Sequence, residues 1–94
     1  MSVPAEETRT TFESTTGGVM TVEAGAVTGE LELATRPADD GLHVKVRYAG
    51  AEEWYTVEGS PVPANPHEGV LERLKKPGPV IQGNEMPASL KRLG

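Results

Sequence analysis

The 94-residue sequence contains no cysteine. Disulfides, thiolate nucleophiles, iron–sulfur clusters and cysteine-bound zinc are thereby excluded. Large side chains are scarce too: aromatics make up 4% of residues, with one Trp, one Phe and two Tyr. A chain of this length forms one domain at most, and with so few bulky residues it buries only a modest core. No apolar run approaches the roughly 18 residues that span a bilayer. The opening Met1-Ser2-Val3-Pro4-Ala5-Glu6-Glu7 lacks the basic and apolar regions of a secretory signal. The cytoplasm is therefore the expected compartment.

Positive charge is sparse through most of the chain. Residues 1–58 hold eleven acids against Arg9, Arg36, Lys45 and Arg47, whereas residues 59–94 hold three acids against five cations. The two parts carry -7 and +2 and recover the overall net charge of -5. An acidic body repels phosphates, and the basic tail is short and without aromatics, so no nucleic-acid partner is expected.

What the sequence does contain is alternation. Glu30-Leu31-Glu32-Leu33-Ala34-Thr35 and Leu42-His43-Val44-Lys45-Val46-Arg47-Tyr48 each alternate polar and apolar residues, the period of strands with one buried face. Arg36-Pro37-Ala38-Asp39-Asp40-Gly41 between them is a cluster of turn formers. The expected register sets Thr35 opposite Leu42, Leu33 opposite Val44, and Leu31 opposite Val46. Outside, Glu32 then meets Lys45 and Glu30 meets Arg47, because a slip by one residue would oppose apolar to charged positions.

Around this hairpin the chain reads as strands at about 8–13, 18–23, 26–35, 42–48 and 53–58. Thr10 and Phe12 share one face of the first. Met20 and Val22 are the expected inner side of the second, with Ala24-Gly25 as a tight turn and Gly29 as a bulge. Setting Tyr48 opposite Glu53 brings Tyr55 beside Val46 and Val57 beside Val44 inside, and Trp54 beside Arg47 and His43 beside Glu58 outside. A helix over about 66–76 starts at Asn65-Pro66-His67-Glu68 and carries Val70, Leu71 and Leu74 on one face. It ends at Pro77-Gly78, after Lys75 and Lys76.

The expected fold is α+β: an antiparallel four- to five-stranded β-meander with one C-terminal α-helix packed on its apolar face. A strongly curled sheet closed by the helix is the architectural alternative. Residues 1–7 read as a flexible lead, 8–82 as the domain, and 83–94 as loop and basic C-terminal tail.

Signals for chemistry are weak. Ser60 in Glu58-Gly59-Ser60-Pro61 lacks a nucleophile elbow, and Gly17-Gly18 lacks the Lys-Ser/Thr of a phosphate loop. Glu52-Glu53 and Asp39-Asp40 sit in polar, solvated turns, whereas a general-acid carboxyl is a buried one. Glu85 is the one isolated acid near a pocket-forming stretch. His67 has no metal-binding spacing around it and reads as a surface residue of the helix's first turn. The Pro63-x-x-Pro66 spacing lacks close basic flanks and reads as a stiff crossover. The row His43, Lys45, Arg47 reads as a charge ladder with Glu30, Glu32 and Glu58, in preference to an anion-binding stripe. An outward Trp54 beside Arg47 matches the residues that dominate binding hot spots. The alternative for Trp54 is a place in the core.

The expected function is a small acidic soluble protein-binding or regulatory module without catalytic activity, masking a basic surface on a partner protein. Trp54, Arg47, His43, Glu30 and Glu32 are the candidate partner-binding residues. The alternative is a small-ligand-binding domain with a pocket between sheet and helix at Tyr48, Tyr55 and Leu74. Neither reading calls for a metal or cofactor, and the chain is expected as a monomer or weak edge-strand dimer.

Overall fold

The structure is a computed structural model that describes residues 7–63 and 66–91. Its elements are β1 (Thr8–Glu13), β2 (Val19–Thr21), β3 (Gly25–Val27), β4 (Glu30–Ala38), β5 (Gly41–Tyr48), β6 (Tyr55–Thr56), α1 (His67–Lys75), β7 (Val80–Ile81) and β8 (Asn84–Glu85). The fold is α+β, with a four-stranded antiparallel sheet in the order β1-β4-β5-β6 and two small two-stranded sheets, β2-β3 and β7-β8.

Alternation decides the faces of the central strands. Leu31, Leu33 and Thr35 of β4 and Leu42, Val44 and Val46 of β5 are buried on one side, where Val70 and Leu74 of α1 cover them together with Val57. Thr10 and Phe12 share the inner face of β1, as the alternation predicts. The β5–β6 register also follows the sequence, with Val46 opposite Tyr55 and the Val57 N–H donating to the Val44 carbonyl at 3.1 Å. β6 itself is only two residues long, against the expected span of about 53–58.

The β4–β5 register differs from expectation by two residues. Leu33 faces Val46, Thr35 faces Val44, and Ala38 faces Gly41, leaving Asp39-Asp40 as a two-residue turn. A slip of two keeps every side chain on its own face, so alternation alone cannot choose between the two pairings. Pro37, expected in the turn, lies in the strand. The Glu30 carbonyl accepts from the Ala49 N–H on the β5 side, so even positions of β4 bond towards β5 and Pro37 directs its imide nitrogen away from that ladder. Glu32 therefore faces Arg47, and Lys45 faces Ala34.

The hairpin β2-β3 departs further. Val19 faces Val27 and Thr21 faces Gly25, so Val19 and Thr21 are the buried pair while Val22 is 67% exposed in a three-residue turn. Thr21 closes that turn: its hydroxyl donates to the Gly25 carbonyl at 2.7 Å and accepts from the Ala24 N–H at 3.1 Å. The expected long strand over 26–35 is broken at Gly29, whose φ of +108° turns the chain from one sheet into the other.

β2 lies beyond β6 and extends the sheet. Val22 N–H donates to the Thr56 carbonyl and Glu58 N–H to the Met20 carbonyl, each at 2.9 Å. Glu23 reinforces the contact by accepting from the Thr56 N–H at 2.7 Å and the Thr56 hydroxyl at 2.8 Å. The Thr56 hydroxyl and amide hold the Glu23 carboxyl below its ordinary pKa of 4.5. A depressed carboxylate stabilises the fold above its unfolded pKa and loses that contribution as pH falls through the folded value. Glu23→Ala is therefore expected to be less stable than the parent at neutral pH, with the gap closing below about pH 4.5. Urea midpoints measured at a series of pH values test this, and a gap independent of pH would refute it.

The helix spans His67–Lys75, with Pro66 as its N-cap and Lys76 as its C-cap. It is one residue shorter at each end than expected; the Asn65 cap falls outside the described residues.

The C-terminal stretch is the largest correction. Within the expected tail of 83–94, Asn84–Glu85 pairs with Val80–Ile81, Ala88 bridges to Val19, and Leu90 is 1% exposed. The Met20 N–H donates to the Ala88 carbonyl and the Ala88 N–H to the Gly18 carbonyl, both at 2.8 Å. The segment carries no periodicity because residues 84–85 close a short hairpin while residues 88–90 run beside Gly18–Met20 and Glu58, with only Ala88 and Leu90 buried.

Candidate functional site

The outward face of the sheet gathers the charged positions that alternation excludes from the core. Its rows are set by the pairings Arg9–Ala34–Lys45 and Thr11–Glu32–Arg47, with Arg36 opposite His43. The four cations of residues 1–58 thus all lie on this one face, in the more acidic part of the chain.

Trp54, half-buried just before β6, stands among them. The Arg47 guanidinium carbon lies 4.5 Å from the indole centroid and that of Arg9 lies 5.3 Å away. A cation over an aromatic face contributes about 0.5–2 kcal/mol, depending on desolvation. Arg47 is further held by Glu32, with Nε and Nη2 at 2.7 and 2.6 Å from the same Oε1. Arg9 pairs with Glu7. Arg36 and Lys45 make no ion pair among the described residues. A shallow cavity of about 130 Å³ opens between Glu7, Ala34, Arg36, His43, Lys45 and Trp54. Ala34, only 5% exposed although outward-facing, forms part of its lining, where a small side chain leaves room beside the indole.

Of the expected partner-binding residues, Trp54, Arg47 and Glu32 come together as one unit, and His43 lines the adjoining cavity. His43 pairs with Asp40 at 2.7 Å rather than with Glu58, because the tight Asp39-Asp40 turn brings Asp40 within reach. His43 leads the causes that hold the Asp40 carboxyl below its ordinary value. Glu30 is exposed at the start of β4, opposite Glu13 rather than Arg47. Arg9 and Arg36 escaped sequence reasoning. The contact of β1 with β4 joins residues 17 to 27 positions apart, and only the alternation that sets Arg9 opposite in face to Phe12 hints at its side.

Tyr48, Tyr55 and Leu74 stand apart from the cavity beside Trp54 and from a larger one: Leu74 lies fully buried in the core, and the two tyrosines meet edge to face at 6.5 Å. The larger cavity, about 570 Å³, lies instead between the C-terminal end of α1 and the β7-β8 hairpin. Met20, Ile81 and Met86 supply apolar lining, with Arg73, Lys76 and Lys91 among its charged residues.

The side chains weighed for chemistry are occupied structurally. The Ser60 hydroxyl accepts from the Val44 N–H at 2.8 Å. Glu85 accepts from the Gly17 N–H at 2.7 Å. His67 is no simple surface residue: it bridges Thr10 and Thr35 through its two ring nitrogens, each 2.8 Å from a hydroxyl oxygen. Among the described residues, no group of three or more His, Asp and Glu side chains is placed to hold a metal ion. No described helix is long and apolar enough to cross a membrane.

Comparison with known proteins finds no matching family model, curated sequence or solved structure. Fold and site together define a small α+β domain with an indole–guanidinium platform on the outward face of its sheet.

Proposed function

We propose that the protein is a non-catalytic protein-binding module and that the outward sheet face around Trp54 is its recognition surface. The observation that carries this reading is the half-buried indole flanked by Arg9 and Arg47, with Arg36 and Lys45 beside it. Trp and Arg dominate binding hot spots because each presents a large rigid surface, and a partly preformed pair loses little entropy on docking. The sign of the charge is opposite to that expected from composition. The acidic chain favours a basic partner, whereas the cavity beside Trp54 is lined by Arg36 and Lys45, which make no ion pair among the described residues, and suits an acidic segment bearing an apolar residue. A cysteine-free composition suits a reducing compartment, and we place the module in the cytoplasm.

Titrating immobilised acidic, neutral and basic peptides against the protein, with Trp54 emission as a second readout, tests the assignment. Acidic peptides are expected to bind, more weakly as salt rises. Trp54→Ala should cost about 2 kcal/mol, roughly thirtyfold in affinity, with an unchanged circular dichroism spectrum. Equal binding of basic peptides, or an unaffected Trp54→Ala variant, would remove the proposal. A small-ligand reading would fall on the groove beside β7-β8, whose lining combines Met20, Ile81 and Met86 with Arg73, Lys76 and Lys91.

A further inference from the structure

The sheet ends on two different kinds of edge. Past β6 the edge is occupied by β2, through the Val22–Thr56 and Glu58–Met20 backbone bonds and the Glu23 carboxylate. Past β1 no described strand pairs.

The orientation of the unpaired groups follows from the ladder. The Ser14 N–H donates to the Gly29 carbonyl at 2.9 Å, so even positions of β1 bond to β4 and odd positions turn their N–H and C=O groups outwards. Those odd positions are Arg9, Thr11 and Glu13, and their side chains lie on the outward face.

An edge strand usually carries charge to repel a second copy. The spacing here does the reverse. In an antiparallel pairing of β1 with itself, a two-fold axis at Thr11 sets Arg9 opposite Glu13 of the partner subunit, twice. The outward backbone groups then form three hydrogen-bonded pairs, about six bonds in all. Neighbouring registers are worse. An axis at Thr10 opposes Glu7 to Glu13, one at Arg9 opposes Arg9 to itself, and one at Glu13 opposes Glu13 to itself. An axis at Phe12 sets Arg9 against Thr15 and forms no ion pair, while an axis between residues would mismatch the faces. Arg9 retains donors for a second carboxylate beside Glu7, since a guanidinium has five N–H groups.

We propose that the protein forms a two-fold symmetric dimer in which β1 pairs antiparallel with β1 of a second copy, Thr11 opposite Thr11. The sheets of the two copies then join into one continuous sheet, with one Trp54 platform in each half. This proposal does not depend on the peptide-binding reading, because it is tested with no peptide present.

Sedimentation equilibrium of the full chain across a concentration series measures the association. Arg9→Glu and Glu13→Arg each bring like charges together at both pairs, and each is expected to weaken self-association by roughly tenfold or more. Mixed in equal amounts, the two variants again offer opposite charges and should form a heterodimer, detected with one of them mass-tagged. Both positions are exposed, and circular dichroism checks that each variant folds. A parent chain that stays monomeric up to about 1 mM would overturn the proposal. So would single variants that associate as well as the parent, or a mixture no better than either alone.

Discussion

Replacing Leu90 with Ala is expected to destabilise the protein by about 2–5 kcal/mol, the usual cost of emptying a fully packed leucine site. A chain of this length has roughly 5–14 kcal/mol of stability in all, so the variant should unfold at far lower urea concentration than the parent. The expectation rests on where Leu90 sits. Its side chain is in the main core cluster with Val57, Val70 and Leu74, and its N–H donates to the Glu58 carbonyl at 2.9 Å. The backbone approaches Gly59 so closely that a Cβ there would come within 2.5 Å of the Leu90 carbonyl carbon, and Gly59 has a φ of +100° that disfavours any other residue. Val80→Ala, at a site 68% exposed in β7, is the control and should change stability by less than about 0.5 kcal/mol. If Leu90→Ala is equally mild, the C-terminal strip does not dock as described.

Removal of the His67 ring should be the next most damaging change. The imidazole ties the first residue of α1 to β1 and β4 at once, through Thr10 and Thr35. A hydroxyl both donates and accepts, so either tautomer of a neutral ring satisfies both bonds. Thr35 is 2% exposed, and without the ring its hydroxyl is left unpaired in the core. Orphaning such a group costs about 1–3 kcal/mol, and with the bond to Thr10 also lost, His67→Ala should cost about 2–4 kcal/mol. Thr35→Val removes the orphan, so His67→Ala combined with Thr35→Val should be less destabilising than the sum of the two by about 1 kcal/mol or more. Urea unfolding of the four proteins gives the coupling. Strict additivity, or a single-variant cost below about 0.5 kcal/mol, would show that the bridge contributes little.

The same residue shows how much was legible beforehand. In sequence, His67 is a polar residue in a helix's first turn, and nothing nearby marks it as buried. Its partners lie 57 and 32 positions away, one on each of two strands. Arg9 is a parallel case: its distance from Trp54 depends on β1 lying beside β4, which no local pattern states. Trp54 and Arg47, by contrast, were placed together correctly, because only a short turn separates their strands and either strand's alternation assigns the same face.

What the sequence by itself determined is the sidedness of β1, β4, β5 and the helix: apolar residues at period two or on one helical stripe must leave water together. It also determined the β5–β6 pairing, since the alternative would have buried Glu58. Tertiary structure decided the rest. A two-residue slip between β4 and β5 costs nothing in sidedness, so the longer ladder with Pro37 inside it emerged only when the whole hairpin was paired. In Val19-Met20-Thr21-Val22 either alternate pair is apolar enough to face inwards, and the Thr21 hydroxyl closing its own turn broke the tie. Leu90 is buried because the C-terminal strip carries it onto Val57, Val70 and Leu74, a meeting of distant segments that no local pattern states. Local alternation is written residue by residue, whereas neighbourhood across the sheet depends on how the entire apolar surface is finally covered.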